Sequence, residues 1–215
     1  MTCVNLFLTL FFVGALSLSG LYAQIEFTEI VIDKEAHGDD KVIADLDNDG
    51  VKDIILGGST LSWYREENGK YVKYRITDPK VEFTTDGYSG DMDNDGDIDL
   101  LLADGKGEGN VMWYENPLPE KSPREGSAWK QHTIGTHGDW MHNATVADVN
   151  MDRHLDLISS GHGSTRLWLN RGKDTWQEVN LSEYGGGAVD TYDMDGDGDQ
   201  DILTPKGWIE CPKDA

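Results

Sequence analysis

The sequence predicts an all-β chain of four repeated, four-stranded units, and three observations carry that expectation. An acidic nine-residue stretch recurs at 45–53, 91–99 and 193–201, each reading D-x-D-x-D-G-x-x-D, with 148–156 as a degraded copy. The copies begin at 45, 91, 148 and 193, in steps of 46, 57 and 45 residues, a repeat length that builds solenoids or propellers. Behind each copy comes a short apolar run and then a tryptophan-bearing one. Four antiparallel strands in about 45 residues is the size of a propeller blade, so the expected architecture is a β-propeller of about four four-stranded blades.

The first unit opens on Val42-Ile-Ala44 and, after its acidic loop, continues through Ile54-Ile-Leu56, a short run of buried-strand type. Leu61-Ser-Trp-Tyr64 is its third strand, Asn68-Gly69 its turn, and Tyr71–Ile76 its alternating fourth. The second unit has Leu100–Leu102, Val111–Tyr114, a turn at Asn116-Pro117, and Trp129–Ile134. In the third, Ala144–Ala147 precedes the loop, and Leu157-Ile158, Arg166–Leu169, a turn at 170–172 and Trp176–Leu181 follow. The fourth, opening near Ala188-Val189, has strands near 187–193, 201–206 and 207–211 and lacks an outer one. Residues 25–32 read as an outer strand without a unit. They could complete the last blade and close a four-bladed ring, which would remove exposed edges. The alternative is an open arc, or part of a longer propeller, since four blades lie at the lower limit for such rings.

Four carboxylates within nine residues repel one another unless a cation sits among them. Calcium takes about six to eight oxygen ligands in flexible geometry and suits such a loop, and the glycine at its sixth place permits a sharp turn. An EF-hand or dockerin reading is disfavoured by the EF-hand's own rule: its loop closes on a Glu at the twelfth residue. Here that place holds Leu56, Leu102 or Thr204, and the flanks are strands instead of amphipathic helices.

With these features together, the chain resembles the FG-GAP/VCBS repeat proteins, the calcium-loop β-propeller family that includes the integrin α-chain head. The resemblance covers about residues 25–211 and rests on loop, strand and spacing jointly. It implies calcium in the hairpin joining a blade's first two strands. Side-chain ligands would be Asp45, Asp47, Asp49 and Asp53, then Asp91, Asp93, Asp95 and Asp99, then Asp193, Asp195, Asp197 and Asp201. The carbonyls of Val51, Asp97 and Asp199 would each add one. The third loop keeps Asp148, Asn150, Asp152 and Asp156 without the glycine, and is expected to bind weakly or to be held by the fold alone.

Residues 1–23 are apolar and uncharged, and read as a secretory signal peptide cut before Gln24, leaving 24–215 as the repeat domain. The expected location is secreted or periplasmic; the runner-up is a membrane anchor kept at the N-terminus, because no Lys or Arg precedes the apolar core. Cys211 would then stand without a disulfide partner, so stabilisation must come from elsewhere, and calcium can supply it. The net charge of −22 argues against nucleic acid and anionic lipid as partners. Trp63, Trp113, Trp168 and Trp208 are expected to fill the space between sheets.

The loops that join one blade to the next lie on the face away from the acidic hairpins. They carry His37-Gly-Asp-Asp40, Asp86-Gly-Tyr88, His137-Gly-Asp-Trp140 with His142, and Tyr184-Gly-Gly-Gly187. Histidines and carboxylates converging there could bind a transition metal or act as acid and base, and Tyr88 and Trp140 could stack on a sugar. The plainer alternative is that the histidines cap turns and the glycines permit tight loops. His132, within a strand, and His154, in the weak loop, offer less. Two functions stay open: a binding or adhesion module for an extracellular protein or glycan, and a carbohydrate-active enzyme. The second follows from the resemblance, which includes polysaccharide lyases and sugar dehydratases; His137, His142 and Tyr88 would be its candidates. No hydrolase elbow, phosphate loop or zinc spacing is present.

Overall fold

The computed structural model describes residues 26–77, 87–103, 109–138, 141–184 and 186–211. Two compact units divide at Val31, and all the sheets belong to the second, Ile32–Ala215. The signal-peptide segment 1–23, Asp86 and Trp140 lie outside the described residues. Among the described residues no helix is long and apolar enough to cross a membrane.

Four antiparallel meanders make up the fold. The first is β1 (Asp40–Ala44), β2 (Asp53–Gly57), β3 (Leu61–Glu67) and β4 (Lys70–Thr77). The second is β5 (Tyr88–Gly90), β6 (Asp99–Ala103), β7 (Asn110–Glu115) and β8 (Lys130–Thr136). The third is β9 (Met141–Ala147), β10 (Asp156–Gly161), β11 (Thr165–Asn170) and β12 (Trp176–Asn180). The last has three strands, β13 (Asp190–Tyr192), β14 (Asp201–Thr204) and β15 (Gly207–Ile209). The arrangement is propeller-like and open. Each acidic stretch joins the first two strands of its sheet, because its ninth-place aspartate is also the first residue of the following strand.

Three expectations need correcting. Residues 26–32 form no strand, with Phe27 91 % and Ile30 77 % exposed, and among the described residues the last sheet has three strands. Trp208 is 42 % exposed and fills no gap between sheets, unlike Trp63, Trp113 and Trp168, which are buried. The turn at Asn116-Pro117 is the start of a longer excursion, residues 116–129, that holds a 3-10 turn at Gly126–Ala128. That excursion accounts for the long second step. It packs on β4, with Trp129 in the core between the first two sheets and its indole N–H donating to Pro123 O at 2.8 Å.

The cores are layers between neighbouring sheets, because alternate residues of one strand face opposite neighbours. Leu100, Leu102, Met112 and Tyr114 pack with Trp63 against the first sheet, while Leu101, Val111 and Trp113 pack with Met141, Leu157 and Trp168 against the third. Trp168 breaks the repeat. Ile55 pairs with Trp63 and Leu101 with Trp113, but the matching residue Ile158 pairs with Leu167. The tryptophan has moved one place along its strand, which turns it to the opposite face, back toward the second sheet.

Candidate metal centre

All four loops share one backbone scaffold. The first aspartate accepts hydrogen bonds from the amides of the fifth and sixth residues: Asp45 from Asp49 (3.1 Å) and Gly50 (2.8 Å), Asp91 from Asp95 (3.0 Å) and Gly96 (3.0 Å). Asp148 does the same with Asp152 (3.0 Å) and Arg153 (2.9 Å), and Asp193 with Asp197 and Gly198 (3.1 Å each). The fifth residue accepts in turn from the seventh, as in Val51 N to Asp49 at 2.8 Å and Asp97 N to Asp95 at 3.1 Å. These bonds hold the carboxylates facing inward at close range.

The scaffold needs two left-handed residues, at the fourth and sixth places. Asn48 (φ 56°), Asn94 (φ 64°) and Gly196 (φ 81°) meet the first, and Gly50, Gly96 and Gly198 the second. The third loop forces Met151 (φ 57°) and Arg153 (φ 73°) into the same region, where a Cβ crowds its own carbonyl. Arg153→Gly is therefore expected to stabilise the protein by about 0.5–1 kcal/mol, the relief of strain exceeding the entropy added to the unfolded chain. A rise in the urea midpoint checks this.

The ninth-place aspartate is a buried latch in every copy. One oxygen accepts the amide of the second loop residue: Leu46 to Asp53 (3.1 Å), Met92 to Asp99 (2.9 Å), Val149 to Asp156 (3.1 Å), Met194 to Asp201 (2.9 Å). In the last three sheets the other oxygen accepts an amide just beyond the third strand's core, from Asn116 (2.8 Å), Asn170 (2.8 Å) or Cys211 (3.2 Å). Asn116 and Asn170 then reach the preceding sheet, donating from Nδ2 to Leu46 O (2.9 Å) and Met92 O (2.8 Å). Loop and neighbouring blade are thus tied through one side chain.

Among the described residues, three groups bring carboxylate oxygens within 4.8 Å of one another: Asp45, Asp47 and Asp53; Asp91, Asp93 and Asp99; Asp193, Asp195 and Asp197. An all-oxygen set at that separation fits a hard divalent ion. Asp47 Oδ1 is shielded from solvent and accepts no hydrogen bond, a costly state that a cation would relieve. Val51 and Asp199 occupy the same seventh place as Asp97, in their own loops. Burial, then the carboxylates of Asp95, Asp93 and Asp91 and that of Glu115, push Asp97 up to about 7. Burial likewise raises Asp99 to about 8 and Asp156 to about 6, against the pull of their backbone donors. The third loop differs: Asn150 Nδ2 donates to Asp152 Oδ2 at 3.0 Å, so that pair is already matched without a metal. Its tip is also tied to the second loop, Asn94 Nδ2 lying 3.0 Å from Arg153 O and 2.8 Å from His154 Nδ1.

On the other face, His137 is buried and its amide donates to Gly109 O at 2.8 Å. His142 is exposed and stacks on His162 with ring centroids 4.4 Å apart. Tyr88 is half-buried and lines an open cavity of about 590 Å³ with Asn143, Thr145 and Asp190. His37 is exposed, and Gly38 beside it is a close-contact glycine, since a Cβ there would lie 2.2 Å from Gly57 O. One histidine that its strand position gave little reason to single out is tightly held. Buried His132 stacks on Trp113 (4.1 Å) between Glu115 (2.6 Å from Nε2) and Asp174 of the next sheet (2.7 Å from Nδ1).

No curated protein matches the chain at a significant level. The model of an FG-GAP-like repeat matches three times, over residues 45–102, 91–159 and 148–204, each match running from one acidic loop into the strand behind the next. Loop, meander and repeat length agree over most of the sequence, and the chain belongs to the FG-GAP-like repeat family.

Proposed function

We propose that this protein is a secreted, calcium-stabilised binding module that recognises an extracellular protein or glycan through the face away from its acidic loops. The observation that carries the calcium part is the convergence of aspartate oxygens in three loops, with Asp47 Oδ1 buried and accepting no hydrogen bond. Asp45, Asp47, Asp49 and Asp53, with their counterparts at 91–99 and 193–201, would hold the ion, which supplies charge neutralisation and cross-links the hairpin. A net charge of −22 favours cation uptake, and the apolar 1–23 segment supports export to a compartment rich in calcium. The half-buried Tyr88 and the polar groups around it offer a surface for a glycan or peptide.

Nothing favours the enzymatic reading over this one: His137 is enclosed, so a proton on a bound substrate lies out of its reach. The test is a native mass spectrum in calcium and after chelation, paired with a glycan array read in both conditions. Bound calcium ions and chelator-sensitive glycan binding are expected. Release of unsaturated products from acidic polysaccharides, lost in His142→Ala, would replace the binding module with a lyase.

A further inference from the structure

Strand register places Arg65 and Glu115 at the same point of their sheets, each two residues beyond a tryptophan paired with the second strand, Ile55 with Trp63 and Leu101 with Trp113. The shifted third sheet has Leu169 there. In the first sheet the arginine reaches the loop. Its Nε lies 2.7 Å from Asp47 Oδ2, its Nη2 binds Asp49 Oδ2, and its side chain is 17 % exposed. Arg124, brought over by the 116–129 excursion, adds a second guanidinium 3.8 Å from Asp47. In the second sheet the equivalent position is the acidic Glu115. Glu115 is held by Lys130 (2.9 Å) and His132 (2.6 Å) and adds its own negative field to Asp93 and Asp97.

We propose that Arg65 is a resident competitor for the cation of the first loop, so that 45–53 binds calcium more weakly than 91–99, where the equivalent position is Glu115. The inference rests on the calcium reading above. The guanidinium donates a charge-assisted hydrogen bond to Asp49 and forms an ion pair with Asp47, two of the carboxylates an ion would need, and these contacts must break or loosen before loading. Once the ion is in, the same guanidinium is a like charge at short range. The arginine also gives this loop a counter-charge when calcium is scarce.

The sixth-place amides report each loop separately, since Gly50, Gly96 and Gly198 each donate to the first aspartate of their own loop. Calcium titrations followed by amide NMR are expected to saturate Gly96 at about tenfold lower calcium than Gly50, the size expected of partly buried charge-assisted contacts. Arg65→Gln is expected to lower the Gly50 midpoint about tenfold, leave those of Gly96 and Gly198 in place, and lower the melting temperature in chelator. Arg65→Lys, which keeps the charge but loses the fork, should shift Gly50 by less, and it serves if the Gln variant fails to fold without calcium. A Gly50 midpoint that stays or rises in both variants overturns the proposal. Silence of Gly96 and Gly198 to calcium would instead remove the calcium reading on which it stands.

Discussion

In millimolar calcium the protein is expected to melt about 10 °C or more above its midpoint in chelator, with opposite pH dependence in the two conditions. A ligand present at a hundred times its dissociation constant stabilises by about 2.7 kcal/mol per site, and for a chain of this size each kcal/mol is worth about 2–4 °C. Two filled loops already reach the stated shift. The pH dependence follows from the buried carboxyls. Asp97, Asp99 and Asp156 are raised to about 7, 8 and 6, with burial the first cause in each, and Asp53 and Asp93 are raised as well. A carboxyl whose folded value lies above its unfolded one favours the fold while protonated. That contribution is complete below about pH 4 and is lost as pH rises through about 6 to 8, so in chelator the melting point should fall across that window. Calcium requires the ionised ligands, so in its presence stability should rise over the same window. Melting curves at pH 5 and 8, with calcium and with EDTA, decide it. A chelator series that rises with pH would mean that these carboxyls are not desolvated as the fold places them.

Much of this fold is legible from letters because one signal repeats. Ile54-Ile55-Leu56 and Leu100–Leu102 are short apolar runs fixed at a set distance behind an aspartate, and they became β2 and β6. Elements failed to read where the signal lay in register instead of residue type. The four tryptophans look equivalent in the sequence, yet pairing is counted from Asp156, and that count turns Trp168 to the other face. Among the described residues Trp208 has no fourth strand beside it, and it stays 42 % exposed. The excursion at 116–129 hid behind an Asn-Pro turn signal, although the step of 57 residues already showed that extra chain had to go somewhere. In the loops, the sixth-place glycine was plain, but Asn48 and Asn94 meet an equal demand at the fourth place. His132 became significant only when folding set Glu115 and Asp174 on either side of it.

Asp99→Ala is expected to cost about 3–5 kcal/mol, with calcium or without it, whereas Asp95→Ala should cost that much in neither condition and almost nothing in chelator. Both residues belong to one acidic loop, but their environments differ. Asp99 is 1 % exposed and accepts the amides of Met92 (2.9 Å) and Asn116 (2.8 Å). Removing it orphans two buried N–H groups, at roughly 1–3 kcal/mol each, and loosens Asn116, whose amide group ties Leu46 O and Ile98 O together. Asp99→Asn should fall between, because its carbonyl can accept one donor while its own NH₂ confronts the other. Asp95 is exposed and accepts from Asp97 N, so its loss in chelator mainly relieves repulsion, and only in calcium does a ligand disappear. The same reasoning applies to the degraded loop. Asp156 makes both latch contacts, from Val149 (3.1 Å) and Asn170 (2.8 Å), so Asp156→Ala should be as damaging as Asp99→Ala even if its loop never takes up an ion. Chemical unfolding of the four variants in EDTA separates the two roles of these aspartates: equal losses for Asp95 and Asp99 would mean that the ninth-place carboxylate acts through a metal alone and not as a latch between blades.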